Sequence, residues 1–100
     1  MIDLRKLLGF DWDDGNIHKS VDKHHVSPGE AEQVFSNEPL LLLHDAAHSE
    51  IELRFHAYGR TDAGRHLQIS FTLRRDSTFV RVISVRPMSA KERARYDQEA

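Results

Sequence analysis

Hydrophobic positions along the chain change their period once, near residue 39. Before that point they recur at helical spacing. Ile17, Val21 and His24 lie at i, i+4 and i+7, which predicts a first helix ending near His24–His25. Ser27-Pro28-Gly29-Glu30 then sets Ser at an N-cap, Pro at the first helical position and Glu at N3, a capping box. Ala31, Val34 and Phe35 give that second short helix its apolar face. Pro39 bars its continuation, and Leu40-Leu41-Leu42-Leu43 is a run short enough to read as a strand. Ahead of both helices, Phe10-Asp11-Trp12 alternates and predicts a short first strand.

After residue 39 the period is two. Ile51 to Tyr58 alternates, with apolar residues at odd positions, and Gly59 to Gly64 supplies a turn. Leu67, Ile69, Phe71 and Leu73 share one face of the next strand, opposite Gln68, Ser70, Thr72 and Arg74. Asp76-Ser77 marks a second hairpin. The near-continuous apolar run Phe79 to Val85 predicts a central strand covered on both faces. Ser89-Ala90-Lys91-Glu92 is another capping box and starts a helix that runs to about Gln98. The chain therefore predicts an α+β fold: an antiparallel sheet of four to five strands, with two N-terminal helices and a C-terminal helix packed on one face. One hundred residues make one domain, 1–100.

Composition adds two constraints. Cysteine is absent, which excludes disulfides and thiolate metal sites and makes a reducing cytoplasm the expected compartment. The net charge of −2 hides an asymmetry. Residues 1–50 carry four Lys/Arg against ten Asp/Glu, whereas residues 51–86 carry seven Arg against three acids. Arginine is the better phosphate fork, because its planar donors engage two oxygens at once. Arginines on sheet edges also serve simply as solvated charges that discourage edge pairing. His44 and His48 have the i, i+4 spacing of metal ligands, but the Leu run before them puts that spacing on a strand and loop, where it loses its meaning.

Two clusters carry the candidate chemistry. Lys19, Lys23, His24 and His25 gather at the end of the first predicted helix. Cations there compensate the helix dipole; lysine and histidine together also hold a phosphate and move a proton near neutral pH. Arg54, Thr72, Arg74 and Arg86 occupy even positions of neighbouring strands, so strand parity gathers them on one open face. Ser84 shares that face with Arg86, and Arg81, of opposite parity, points to the other. Converging guanidinium groups make a phosphate-binding floor; alternatively, they pair with carboxylates of the same chain or of a partner.

The order Phe10-Asp11-Trp12-Asp13, Asn16, Lys23-His24, Val26-Ser27, Glu30-Ala31, Val34-Phe35 resembles the BrnT family of type II toxins. Asp45, His48-Ser49, Glu52, Arg54, Gly59, Gly64-Arg65, Arg81-Val82-Ile83-Ser84-Val85-Arg86, Glu92 and Tyr96 continue the resemblance, which covers about residues 10–97. Residues 1–9 form an N-terminal extension outside it. His25 stands where the family usually has Gly, and Pro28-Gly29 replaces an aromatic-acidic pair. The resemblance implies a RelE/ParE-like fold and an endoribonuclease toxin that arrests translation. It also implies neutralisation by a BrnA-like antitoxin whose ribbon-helix-helix part binds operator DNA, the toxin reaching that DNA only through its antitoxin. RNA is then the expected substrate, cleaved without metal or other cofactor and away from any membrane. Parity and resemblance together nominate Lys23, His24, Arg54 and Arg86 as catalytic. They nominate Lys19, Thr72, Arg74, Ser84 and Arg81 as substrate-binding. The alternative is a catalytically inactive module that docks an antitoxin or another acidic partner.

Overall fold

Two consecutive hairpins build most of the sheet in the computed structural model, which describes residues 3–48 and 52–100, excepting the side chains of Lys19, Ser20, Asp22 and His48. β3 (Phe55–Arg60) and β4 (His66–Arg74) pair antiparallel, and β4 pairs antiparallel with β5 (Phe79–Pro87). The β3–β4 turn closes when Thr61 N–H donates to the Arg65 carbonyl at 2.9 Å, with Gly64 in the left-handed region at φ 87°. β2 (Leu41–His44) adds antiparallel to β3, and β1 (Gly9–Phe10) adds parallel to β5, so the strand order is β1-β5-β4-β3-β2.

The sheet is therefore mixed, not antiparallel throughout as the sequence pattern predicts. The reason is the crossover. The chain leaves β1, passes through α1 (Lys19–His24) and α2 (Pro28–Ser36), enters at the opposite edge and meanders back. Three antiparallel steps return β5 alongside β1 in the same direction.

The core lies between α2 and one face of the sheet. Val26, Ala31 and Val34 pack with Ala57, Leu67, Ile69, Phe71, Val80, Val82 and Val85. Phe35 stands edge-on to Phe10 and Phe71, at ring-centroid distances of 5.4 and 5.1 Å. Gly59 allows α2 to approach, because a Cβ there would lie 2.9 Å from Val34 Cγ1. The Ser27 capping box forms in full: the hydroxyl accepts from Glu30 N–H, and the Glu30 carboxylate accepts from Ser27 N–H.

Three further predictions are corrected. The first helix is only six residues long, and Val21 is exposed, so Ile17, Val21 and His24 do not form a core face. Asn16 is the cause. Its side chain accepts from Asp13 N–H and donates to the carbonyls of Asp11 and Val82, fixing a turn against β5 before the helix can begin. The central strand is β4, buried on both faces from Leu67 to Thr72, whereas β5 alternates. Nor do all helices share one face. α3 (Ala90–Glu99) lies by the other one, where its Lys91, Glu92 and Arg95 line a hollow of about 270 Å³ with Leu41 and Tyr58. Tyr96 is the one residue α3 buries; its hydroxyl donates to the Pro39 carbonyl and its ring meets His66 edge-on. The predicted start of the third strand at Ile51 lies outside the described residues, and the strand begins at Phe55. Among the described residues no helix is long and apolar enough to cross a membrane.

Asn16→Ala removes donors from two carbonyls, one of them deep against β5. The expected loss is about 1–3 kcal/mol of unfolding free energy by urea titration, with the denaturant slope unchanged.

Candidate functional site

The face of the sheet opposite α2 owes its composition to one irregularity. Ser70 pairs with Ser84 and Phe71 pairs with Val82, so Ile83 is an extra residue, a β-bulge. The bulge resets side-chain parity in β5. Val80 and Val82 before it and Val85 after it all reach the core. Arg81, Ser84 and Arg86 consequently share the other face, across from Thr72, Ser70 and Gln68. Strand parity alone had put Arg81 and Arg86 on opposite sides; the inserted residue overturns that expectation.

Each row of this face crosses several strands. Leu43, His56, Ser70 and Ser84 form the middle row, with Leu41, Tyr58, Gln68 and Arg86 on one side of it. Gln68, Ser70 and Thr72 are buried polar residues on the central strand, which is costly unless they are paired. They are paired. The Thr72 hydroxyl donates to the Leu53 carbonyl at 2.7 Å. The Gln68 amide nitrogen lies 2.8 Å from His56 Nδ1 and 3.3 Å from Ser70 Oγ, and Ser70 Oγ lies 2.9 Å from the same ring nitrogen. On the far side of the ring, His56 Nε2 lies 3.1 Å from Asp45 Oδ2. An amide nitrogen can only donate, so Nδ1 accepts, and the hydrogen on Nε2 is given to Asp45. The result is a directional chain from Gln68 through Ser70 and His56 to a buried carboxylate. Asp45 is fixed in turn by its N–H, which donates to the Arg54 carbonyl at 2.8 Å. Sequence reasoning passed over His56. The signal was there: an even-numbered histidine in an alternating strand, facing a polar position across a short hairpin.

Most of the nominated arginines are held by carboxylates. Arg86 forms a two-pronged pair with Glu92 of α3 at 2.7 and 2.8 Å. Arg81 grips Asp13 with both terminal nitrogens, at 3.0 and 3.1 Å, and lies 3.6 Å from Asp11. Arg74 pairs with Glu52. Bonding to Arg86 holds the Glu92 carboxyl down at about 2, and the same contact pushes the Arg86 guanidinium up. Bonding to Arg81 likewise lowers the Asp13 carboxyl.

The nominated residues fall into two groups. Arg54, Thr72, Arg74 and Arg81 lie toward the open end of the β3–β4 hairpin, and Arg86 lies toward its turn. Lys23 and His24 are also at the turn end: the Arg65 guanidinium donates to the carbonyls of His24 and His25 and pairs with Glu30. The length of β3 separates the ends, roughly 20 Å at ~3.3 Å per residue. Ser84 sits between them. The Lys19 side chain lies outside the described residues, as does that of His48, while His44 packs by the Phe55 ring. Among the described residues no three His, Asp or Glu side chains are grouped to hold a metal ion. A hollow of about 540 Å³ at the open end is lined by Thr72 and Leu53 together with Asp3, Glu52, Asp76 and Lys6.

Fold and site together define a small α+β protein whose sheet presents a hydrogen-bonded chain of side chains bordered by arginines. Residues 12–92 match the family described as the ribonuclease toxin, BrnT, of type II toxin-antitoxin systems. The chain belongs to that family. No curated protein matches it in sequence.

The Glu92 pairing has a consequence in acid. Its carboxyl titrates lower in the folded chain than the ordinary 4.5, so its contribution to stability is complete above about pH 4.5 and is lost as pH falls toward about 2. Glu92→Gln keeps a residue able to cap α3 but removes the charge. The urea midpoint of wild type is expected to exceed that of Glu92→Gln above pH 5, and the gap should close as pH approaches 2.

Proposed function

We propose that the chain is an endoribonuclease that cuts RNA without a metal cofactor, by in-line attack of a ribose 2′-hydroxyl on the adjacent phosphate. The observation that carries this reading is the bulge-built face, on which guanidinium groups border a hydrogen-bonded histidine. Such cleavage needs a base at the 2′-oxygen, an acid at the leaving 5′-oxygen and donors around the phosphorane. Arg54 and Arg86 are assigned as donors, with Arg74 in support, and Arg81 and Lys19 as further contacts to the backbone. Lys23 and His24 are assigned to acid–base work at the turn end. The separation of Arg54 from Arg86 favours an RNA strand laid along the face, with one arginine at the cleaved phosphate and the other holding the neighbouring one in register. Ser84 orients the strand between them. Thr72, whose proton is committed to the Leu53 carbonyl, acts by fixing the segment that carries Arg54.

The toxin's partner, on this reading, is a BrnA-like antitoxin. Its acidic groups compete with Glu92, Asp13 and Glu52 for the same guanidiniums, and its ribbon-helix-helix part carries the complex to operator DNA. The paired state of Arg74, Arg81 and Arg86 also suits a second reading, a catalytically silent docking face already neutral in charge.

Incubating the purified chain with RNA in EDTA separates the two. The nuclease reading expects fragments, and a fall of about 10²–10³-fold in Arg54→Ala and in Arg86→Ala. Intact RNA in EDTA with cleavage restored by magnesium would contradict metal independence. Full cleavage by both variants would remove the arginine assignment.

A further inference from the structure

We propose that His56, held by Asp45, is the general base of RNA cleavage and receives the 2′-hydroxyl proton through Ser70; this rests on the ribonuclease reading above. His56 sits in the middle row of the polar face, between the level of Arg54 and that of Arg86. Its side chain is 24% exposed, against 8% for Asp45, so a substrate can approach the ring while the carboxylate behind it stays shielded. The two ring nitrogens have separate duties. Nε2 gives its hydrogen to Asp45 Oδ2, which fixes the tautomer and stabilises the imidazolium when it forms. Nδ1 is left as the basic atom; it accepts from the Gln68 amide at 2.8 Å and from the Ser70 hydroxyl at 2.9 Å, and the Gln68 amide turns aside as the proton arrives from Ser70.

A ribose 2′-hydroxyl placed against Ser70 Oγ completes the path. As the 2′-oxygen bonds to phosphorus, its proton passes to Ser70 Oγ while the Ser70 proton passes to His56 Nδ1, so Ser70 ends unchanged. The P–O5′ bond breaks with its electron pair on the 5′-oxygen, which takes a proton from solvent, and His56 later returns its own proton to solvent. One proton enters the site and one leaves it, and the product is a 2′,3′-cyclic phosphate. The buried amide of Gln68 holds Ser70 in this line at 3.3 Å. Other titratable or charged groups bordering the ring are Tyr58, 6.3 Å away between ring centroids, and, farther along the face, Arg54, Arg81, and Arg86 with Glu92. Desolvation keeps the Tyr58 hydroxyl protonated beyond its usual range, so it does not titrate beside His56 near neutrality.

The test is single-turnover cleavage of a fluorescent mixed-sequence oligoribonucleotide in EDTA, as a function of pH. Wild type is expected to lose rate with unit slope on the acid side. His56→Gln is expected to fall about 10²–10⁴-fold and lose that limb, with RNA affinity and thermal midpoint retained. His56→Ala is expected to regain rate with added imidazole, a readout that a merely structural role would not give. In Asp45→Asn, a positioning change, the acid limb should move to lower pH, because the imidazolium has lost its carboxylate. Wild-type rate and pH profile in His56→Gln would overturn the assignment while leaving the nuclease reading intact. RNA left uncut by wild type would overturn both.

Discussion

A single extra residue in β5 sets the character of the molecule. Without Ile83 as a bulge, a strand with valine at 80, 82 and 85 would have to expose one of them, and Arg81 and Arg86 would straddle the sheet. With it, three valines enter the core and two arginines and a serine emerge together. The neighbouring strand answers in kind. β4 sends Leu67, Ile69 and Phe71 to the core and Gln68, Ser70 and Thr72 to the face that Arg81, Ser84 and Arg86 border. Because β4 is central, those three polar residues are buried despite lying on the polar side.

That burial explains why the face is so thoroughly bonded. A buried amide or hydroxyl without a partner costs about 1–3 kcal/mol, and among the described residues no buried side-chain polar atom lacks one. The same bonding orders the histidine. Hydrogen bonds that satisfy Gln68 and Ser70 also set the tautomer of His56, and Asp45 anchors the other nitrogen. The arginines at the border are treated differently. Their carboxylate partners are contributed by the segment after β1, by the segment before β3 and by α3, all peripheral to the sheet. An incoming phosphate would therefore exchange one anion for another at a preset guanidinium, with no bare charge exposed beforehand.

Local structure was largely legible in the sequence. Both capping boxes, the hairpin turns, the apolar face of α2 and the extents of β2, β4 and β5 follow from residue order, because each depends on neighbours a few positions away. What escaped depends on long separations. The bulge is invisible to a period-two reading, and it alone decides the side on which Arg81 lies. β1 joins the sheet parallel because of where the chain returns about seventy residues later. Arg81 and Asp13 meet across 68 positions, so charge counting registers a surplus where the structure holds a pair. A lone histidine in a strand carries no motif; only the strand pairing that sets His56 by Ser70, and the turn that brings Asp45 behind it, place it in a hydrogen-bonded chain.

On the proposed function, RNA lies on the bulge-built face. Amide chemical-shift mapping with a 2′-deoxy oligonucleotide, which binds but lacks the attacking hydroxyl, tests it most directly. The largest shifts are expected to trace Asp45, Arg54, His56, Ser70, Ser84 and Arg86. Shifts centred instead on α2 and the exposed turn around Asp62 would contradict it.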